Sequence, residues 1–241
     1  SYNNAVGYSA GSSITTGVKN VIVGGLAGDA ITTGERNVYV GHTTGTSATD
    51  VDFNVGLGAE ALFTNVNGSK NVAVGSGALF AMNPATNTDT YNVAVGDVAG
   101  VSVTTGTFNT IVGGQAADAI TQGTRNVAIG YGALTSDTLG SKSVAIGVGA
   151  LDAQNFTTAT DSNNVAVGNN AGASVTTGTL NTLIGSQAGD ALTSGNNNVA
   201  VGYLALTADT LGDRNVAIGS AALATQNFTT TTDAYNVGVG Y

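Results

Sequence analysis

The sequence predicts an all-β parallel β-solenoid built from 17-residue coils. The five-residue motif Asn-Val-Ala-Val/Ile-Gly recurs fourteen times along the chain. Its starts follow a 17-residue period, except for three 21-residue steps, and a complete extra unit is inserted at 37–53 without disturbing the later repeats. Short repeats of fixed period are typical of stacks in which each coil contacts only its neighbours. Such a stack accepts a whole additional coil, whereas a closed globule does not.

Each motif predicts one short strand. In the motif that starts at Asn126, Val127 and Ile129 face one side and the other three residues face the opposite side, which is the period of a strand. A Gly follows, then a small residue and a Thr-Thr-Gly or Asp-Thr-Leu-Gly segment with turn chemistry. Coils stacked about 4.8 Å apart would pair these strands in parallel register and form a rod roughly 65 Å long.

Stacked coils place like residues in columns. The first motif place is Asn in thirteen of fourteen units, and the fifth is always Gly. We interpret the Asn column as a ladder of amides bonded from coil to coil. We interpret the Gly column as chain geometry, because no phosphate-binding glycine motif follows a strand and opens a helix. The ladder residues singled out are Asn20, Asn37, Asn92, Asn126, Asn164, Asn198, Gly24, Gly96, Gly130 and Gly168.

A longer repeat is superimposed on the short one. Residues 92–163 and 164–235 match nearly throughout, which gives a 72-residue super-repeat of three 17-residue coils and one 21-residue coil. An opening module spans 3–91 and contains the extra coil 37–53, and residues 236–241 begin a further module. The chain is therefore predicted to be a single repeat solenoid over 1–241.

The composition argues against catalysis and several ligand classes. Only 9% of residues are charged, Cys is absent, and a Ser/His or Cys/His site would depend on the lone His42. The carboxylates are dispersed, unlike the paired acids of a glycosidase, and the net charge of −9 disfavours nucleic acid. No apolar stretch is as long as the roughly 18 residues that predict a membrane span. We expect no enzyme activity, no cofactor and no metal site.

Both faces of the predicted strand are apolar. The third place is Ala in eight units and Ile22, Ile111 or Leu183 in three others, while the second and fourth places are mostly aliphatic. Strands that are apolar on both faces are normally covered on both. We therefore expect one face to contact other copies of this chain in a parallel homotrimer, with end-to-end polymers of rods as a further form of assembly.

The unit Asn-Val-Ala-Val/Ile-Gly-x-x-Ala resembles the head repeat of the YadA-like trimeric autotransporter adhesins, whose Ser-Val-Ala-Ile-Gly units are similar to residues 143–147. It is also similar to repeats of bacteriophage tail-fibre shafts, in which Ala-Leu or Ala-Gly followed by Thr-Thr-Gly is frequent. The 17-residue and 21-residue units are longer than the usual autotransporter repeat, which favours the phage-like branch. The resemblance implies a left-handed β-roll trimer outside a cell or on a virion, with binding as its task.

All six basic residues immediately precede a motif start, in a column that also holds Tyr and Phe. One interpretation is a stripe that contacts glycans. The alternative is a set of intersubunit salt bridges with aromatic rings covering the joint. The candidate edge stripe comprises Arg36, Lys70, Arg125, Lys142 and Arg214. The acidic partners suggested by the repeat are Asp29, Asp118, Asp190, Asp137 and Asp209.

The three 21-residue coils each add four residues after an Ala-Leu pair. We expect these segments to project as loops and to contact a cell-surface glycan or protein receptor, with a spacer role as the alternative. The candidate contact residues are Pro84, Asn155, Phe156, Asn227 and Phe228. The predicted function is a fibre shaft or adhesin on a phage tail or cell surface. A self-assembling extracellular filament without a receptor is the alternative.

Overall fold

The computed structural model describes residues 2–241 and confirms the parallel β-solenoid. These residues form short strands and turns, with no helix among them. They divide into two compact units, of which the first runs to Gln122 and the second spans Gly123–Tyr241. Each unit winds through seven coils, most of them with the 17-residue length of the sequence repeat.

The first unit carries one three-residue strand per coil and two shorter strands. In order, its strands are β1 Asn4–Val6, β2 Val21–Val23, β3 Val38–Val40, β4 Val55–Leu57, β5 Gly68–Ser69, β6 Val72–Val74, β7 Thr88–Asp89, β8 Val93–Val95 and β9 Thr110–Val112. Strands β5 and β7 pair with each other, and the other seven lie side by side in chain order.

The second unit repeats this plan with two pairs of short strands. Its strands are β10 Val127–Ile129, β11 Gly140–Ser141, β12 Val144–Ile146, β13 Thr160–Asp161, β14 Val165–Val167, β15 Thr182–Ile184, β16 Val199–Val201, β17 Gly212–Asp213, β18 Val216–Ile218, β19 Thr232–Asp233 and β20 Val237–Val239. Strand β11 pairs with β13 and β17 with β19, and the other seven strands form the main sheet.

Strand pairing keeps identical motif places opposite each other. Ala128 lies opposite Ala145, which in turn lies opposite Ala166 on the following strand. All these pairs are parallel, and the 21-residue coils keep the same register because their extra residues lie outside the main sheet. The columns inferred from the repeat are therefore physical columns within each unit.

The Asn column lies inside the coils. Asn20 Oδ1 accepts a hydrogen bond of 2.9 Å from the backbone N–H of Asn37, and Asn20 Nδ2 donates to the Gly34 carbonyl of its own coil at 2.8 Å. The same Nδ2-to-carbonyl bond, at 2.7–2.9 Å, is made by Asn92, Asn126, Asn164 and Asn198. These fully buried amides join successive coils and close each coil, so they are not available to a ligand.

The Gly column is required by backbone geometry. Gly24, Gly96, Gly130 and Gly168 have φ between 131° and 141°, which side-chain-bearing residues rarely adopt. A Cβ on Gly168 would also collide with the carbonyl oxygen of Gly185 in the next coil. The backbones of successive coils thus approach too closely for any side chain at this place.

The coil interior is filled by compensating large and small residues. Ala128 shares its coil with Leu134, whereas Leu183 shares its coil with Gly189, and the three side chains are buried. A Cβ on Gly189 would lie 2.7 Å from Leu183, so the larger side chain occupies the space that Gly leaves. Each coil therefore keeps a similar interior volume at the close packing typical of protein cores.

The inserted coil holds the bulkiest buried side chain, Tyr39. Space for its ring comes from Gly45 and Gly56, where an added Cβ would lie 2.7 Å and 3.0 Å from ring atoms. The Asn54 side chain approaches the Tyr39 hydroxyl, but no residue in 2–241 hydrogen-bonds to it. Burial raises the pKa of the Tyr39 phenol far above its ordinary value, so the hydroxyl stays neutral.

A buried polar network surrounds the one motif that begins with Ser. Gln154 Nε2 donates to Asp137 Oδ2 at 2.6 Å and to Ser143 Oγ at 2.8 Å, and Gln154 Oε1 accepts from Asn164. The backbone N–H of Phe156 also donates to Asp137. Gln154 thus bridges the gap that Ser143 leaves in the Asn column.

Burial raises the pKa of Asp137, although hydrogen bonds from Gln154 and from the backbone at Phe156 and Gly140 oppose the shift. The folded chain therefore holds a proton on Asp137 at pH values where the unfolded chain has lost it. The stabilising contribution of this carboxyl consequently declines as the pH rises through that interval.

We expect Gly168→Ala to destabilise the fold much more than Gly132→Ala. Gly132 also has a positive φ, of 61°, but open space surrounds the position of its Cβ. The control should lose about 1 kcal/mol from backbone strain alone, whereas Gly168→Ala adds a backbone collision and should lose at least about 3 kcal/mol. Thermal unfolding followed by circular dichroism measures both, and equal losses would contradict the close approach of the coils.

We expect Gln154→Met to destabilise the second unit by about 1–3 kcal/mol, because it removes a donor from a buried carboxylate. The first unit has Asn65 at the place of Asp137 and Met82 at the place of Gln154, and both side chains are buried. The Asn65 amide donates to the Gly68 carbonyl and accepts from the Gly68 N–H, so it needs no Gln partner. Adding Asp137→Asn to Gln154→Met should therefore recover part of the loss. Denaturation of the two single variants and the double variant gives the coupling, and strictly additive losses would refute the pairing.

Candidate interaction surface

The bulky residues singled out in the 21-residue coils anchor the loops instead of projecting from them. Pro84 and Phe156 are buried and Phe228 is partly buried, so they are not free receptor contacts. Asn155 and Asn227 are exposed, and each accepts a hydrogen bond from a Thr hydroxyl of the preceding coil, at 3.0 Å and 3.1 Å.

The exposed parts of the loops are their small tips. Residues 85–87, 157–159 and 229–231 are solvent-exposed and consist of Ala, Thr and Asn. Below each tip a Thr hydroxyl turns back to a backbone carbonyl two residues earlier, as Thr160 does to Thr158 at 3.0 Å. Sequence reasoning singled out the Phe and Pro residues because they lie in segments expected to project as loops, but an apolar ring beside a narrow coil is more stable against the core.

The basic residues form ion pairs within the chain. Lys70 pairs with Asp89 at 2.5 Å, Lys142 with Asp161 at 2.6 Å, and Arg214 with Asp233. The acids belong to the short strands of the 21-residue coils, whereas Asp137 and Asp209 are buried and bind Gln side chains. Asp29 and Asp190 accept from Thr46 and Thr207. Within one chain these four aspartates therefore do not pair with the basic residues, and the intersubunit pairs that the repeat suggested stay a prediction.

Every residue of the candidate edge stripe has a left-handed backbone. Arg36, Lys70, Arg125, Lys142 and Arg214 have φ between 57° and 63°. This conformation turns the chain immediately before each strand and fixes where the side chain leaves the coil. The cations occupy a turn with a fixed geometry, and the ion pairs at this turn are exposed and contribute little stability individually.

Neighbouring residues cover the aromatic faces in this column. The Arg36 guanidinium lies 5.0 Å from the Phe53 ring centre, Lys70 Nζ lies 5.0 Å from that of Tyr91, and the Tyr91 and Phe108 rings stack 5.4 Å apart. Stacking on a sugar requires an open ring face, and these contacts engage Tyr91 twice and one face each of Phe53 and Phe108. The geometry therefore favours a self-contained cation and aromatic ladder over a glycan stripe.

A second ladder, which the repeat did not reveal, precedes the basic column by one residue. The backbone N–H of Glu35 donates to Asp52 Oδ1 at 2.7 Å, and that of Asn196 donates to Asp213 Oδ1 at 2.6 Å. Ser141 Oγ accepts in the same way from Thr124. The only sequence signal was a recurrent short polar residue at this place, and its identity varies too much to form an evident motif.

The outward side of the main sheet in each unit is a largely aliphatic face. The third motif place is buried in the core, while the second and fourth places point outward and are only half-buried, as at Val165 and Val167. Val21, Val23, Ile184 and Ile218 are 36–40% exposed. The outward aliphatic face, meaning the second and fourth places of each motif, is therefore unpartnered within the chain.

Residues 2–241 contain neither a candidate metal-binding cluster nor a candidate membrane-spanning helix. They bring together no group of three His, Cys, Asp or Glu side chains that could hold a metal ion. They also include no helix of the length and apolarity that a membrane crossing needs.

An open groove of about 500 Å³ is lined by Asp50, Asp52, Ser69, Asn87, Thr88 and Asp89. Its polar groups mostly bind one another: Asn87 donates to Asp50 at 2.8 Å, and Lys70 neutralises Asp89.

Comparison with known proteins adds no family to this description. No protein-family profile, no curated protein and no solved structure gives a significant match to the chain. Its function is therefore inferred from the repeat, the two ladders and the outward aliphatic face.

Proposed function

We propose that this chain forms the repeat shaft of a structural fibre on a virion tail or a cell surface, where it acts as a rigid spacer and attachment element without catalysis. The proposal rests on one observation above all, the outward aliphatic face that repeats on every coil. The interior is already filled and hydrogen-bonded from coil to coil, so this face is the surface left for assembly.

The partner that best fits this face is another copy of the same chain. The side chains of this face recur about every 4.8 Å along the stack, so they can pack against a second surface whose side chains recur at the same spacing. Seven three-residue strands give a face of roughly 34 Å by 10 Å, or about 340 Å² in each unit. The face of each unit supplies somewhat less than half of the roughly 800 Å² per partner of a standard interface, and columns beside the strands would add to it. The absence of charged residues from the second and fourth places also suits an interface core.

A homotrimer is the assembly that the resemblance to YadA-like and tail-fibre repeats favours, and the 72-residue super-repeat would then be a unit of shaft length. The alternation of Ala with Leu or Ile in the coil interior is consistent with such a unit. Attachment to a glycan or protein receptor would fall to the exposed loop tips, 157–159 and 229–231, because the rings beside the basic residues already stack on neighbours within the chain.

We expect a mass about three times the 23.5 kDa of one chain when the native protein is measured by light scattering. Ile184→Lys should reduce the trimer because it buries a charge in the aliphatic face. Asn197→Lys is the matched control, since it places the same charge in the column where Lys70 and Lys142 occur naturally. A monomeric native chain would refute the trimer, and open-ended polymers would support a filament instead.

We also expect the native protein to resist trypsin although it contains six basic residues. The residue after each of them is an Asn or Ser that is fully buried and hydrogen-bonded, for example Asn37, Asn71 and Ser143. Cleavage therefore requires a coil to open. Digestion should accelerate at least about tenfold in the Gly168→Ala variant, and rapid cleavage of the native chain at Lys70 or Lys142 would contradict this protection.

A further inference from the structure

The outward aliphatic face does not define its own alignment. Its second place is Val on most coils, and its fourth place is Val, Ile or Leu on all of them. Sliding one copy along another by a coil, about 4.8 Å, brings Val against Val again. Exchanges between Val and Ile are among the best tolerated in packed cores. The aliphatic side chains alone therefore permit several axial alignments of neighbouring copies.

Apart from Asn4 in the first strand, the polar side chains on this face are Thr110 and Thr182, and each presents a hydroxyl. Thr182 replaces Val at the second place of β15 and lies in the sheet between Val165 and Val199. Thr110 occupies the same place in β9, one super-repeat earlier in the chain, beside Val93. Both side chains are half-buried on the outward side.

These hydroxyls are unpaired within residues 2–241, unlike other Thr hydroxyls of the solenoid. Thr104, Thr176 and Thr193 each donate to a carbonyl of the next coil at 3.0–3.1 Å. Thr110 and Thr182 have no such bond, and the side chains paired with them along the sheet are Val165, Val199 and Val93, which offer no polar partner. A polar group placed in an apolar contact surface without an internal partner is suited to a partner on the other chain.

We propose that Thr110 and Thr182 set the axial alignment of the homotrimer by hydrogen-bonding to the same residues of the neighbouring copies. This inference rests on the proposed homotrimer. With the copies in register, each hydroxyl donates to one neighbour and accepts from the other, which satisfies all three. After a slip of one to three coils, each hydroxyl faces Val and loses its partner, as a misplaced polar residue does in a coiled-coil seam.

The alignment can be read from disulfides because the chain has no Cys of its own. Chains carrying Ile184→Cys and chains carrying Ile218→Cys are mixed, refolded together and oxidised. These places are two coils apart, about 9.6 Å along the stack, so in-register copies hold the two kinds of thiol too far apart for a disulfide. A disulfide between the two kinds of chain reports a slip of two coils.

With Thr110 and Thr182 in place, we expect fewer than about one in ten disulfides to join the two kinds of chain, because each unpaired hydroxyl disfavours a slip about tenfold. The double variant Thr110→Val/Thr182→Val should keep the trimer mass and raise that fraction at least about threefold. The matched control is Thr105→Val/Thr177→Val, which removes two exposed hydroxyls outside the face and should leave the fraction unchanged.

The outcomes test the axial alignment by the two Thr hydroxyls separately from the existence of the trimer. A trimer whose mixed-disulfide fraction is the same in the native background, the double variant and the control would overturn the role of the two hydroxyls while leaving the fibre proposal intact. A native chain that is monomeric by light scattering would overturn both. A trimer in which only Thr110→Val/Thr182→Val increases the mixed disulfides supports both.

Discussion

In-register stacking of equal coils is the constraint on which the rest of the structure depends. Because each coil repeats the path of the one before it, every column must accept the same contact many times in succession. Asn meets this requirement with an amide that bonds both along the column and across its own coil. Gly meets it where two backbones touch, and the mixed cation and aromatic column meets it with rings that stack on a cation or on another ring of a neighbouring coil. A residue that suits one coil but not its neighbour needs compensation nearby, as Tyr39 shows with Gly45 and Gly56.

The constraint explains why so much of the fold could be predicted. Strand places, parallel register, coil length and the alignment of Asn20 and Asn164 in one column follow from period and alternation, because stacking turns a sequence repeat into a column. Contacts that depend on side-chain reach could not be predicted in this way. The pairing of Lys70 with Asp89 joins residues 19 positions apart across a longer coil, and the burial of Phe156 depends on how its own 21-residue coil folds back. The ladder through Asp52 and Asp213 escaped notice because its residue type changes from coil to coil.

In-register stacking also determines which polar side chains are bonded within the solenoid and which groups remain for partners. Most polar side chains with strict periodicity are consumed by the solenoid itself, including the Asn column, the Thr hydroxyls beside the turns and Gln154 in its buried network. What remains for partners is the half-buried aliphatic face, its two unpaired hydroxyls and the loop tips. An extended surface of this kind suits assembly better than recognition of a small molecule, which requires a concave site with converging polar groups.

The inserted coil at 37–53 has a consequence for how such a chain changes over time. Gain or loss of one coil alters the length of the stack by a fixed step of about 4.8 Å and leaves every column continuous. Unequal recombination between neighbouring repeats could therefore adjust the length of the stack in discrete increments, with only local repacking such as that around Tyr39. If the proposed fibre exists, its length would be inherited as a number of repeats and would change by duplication more readily than by point mutation.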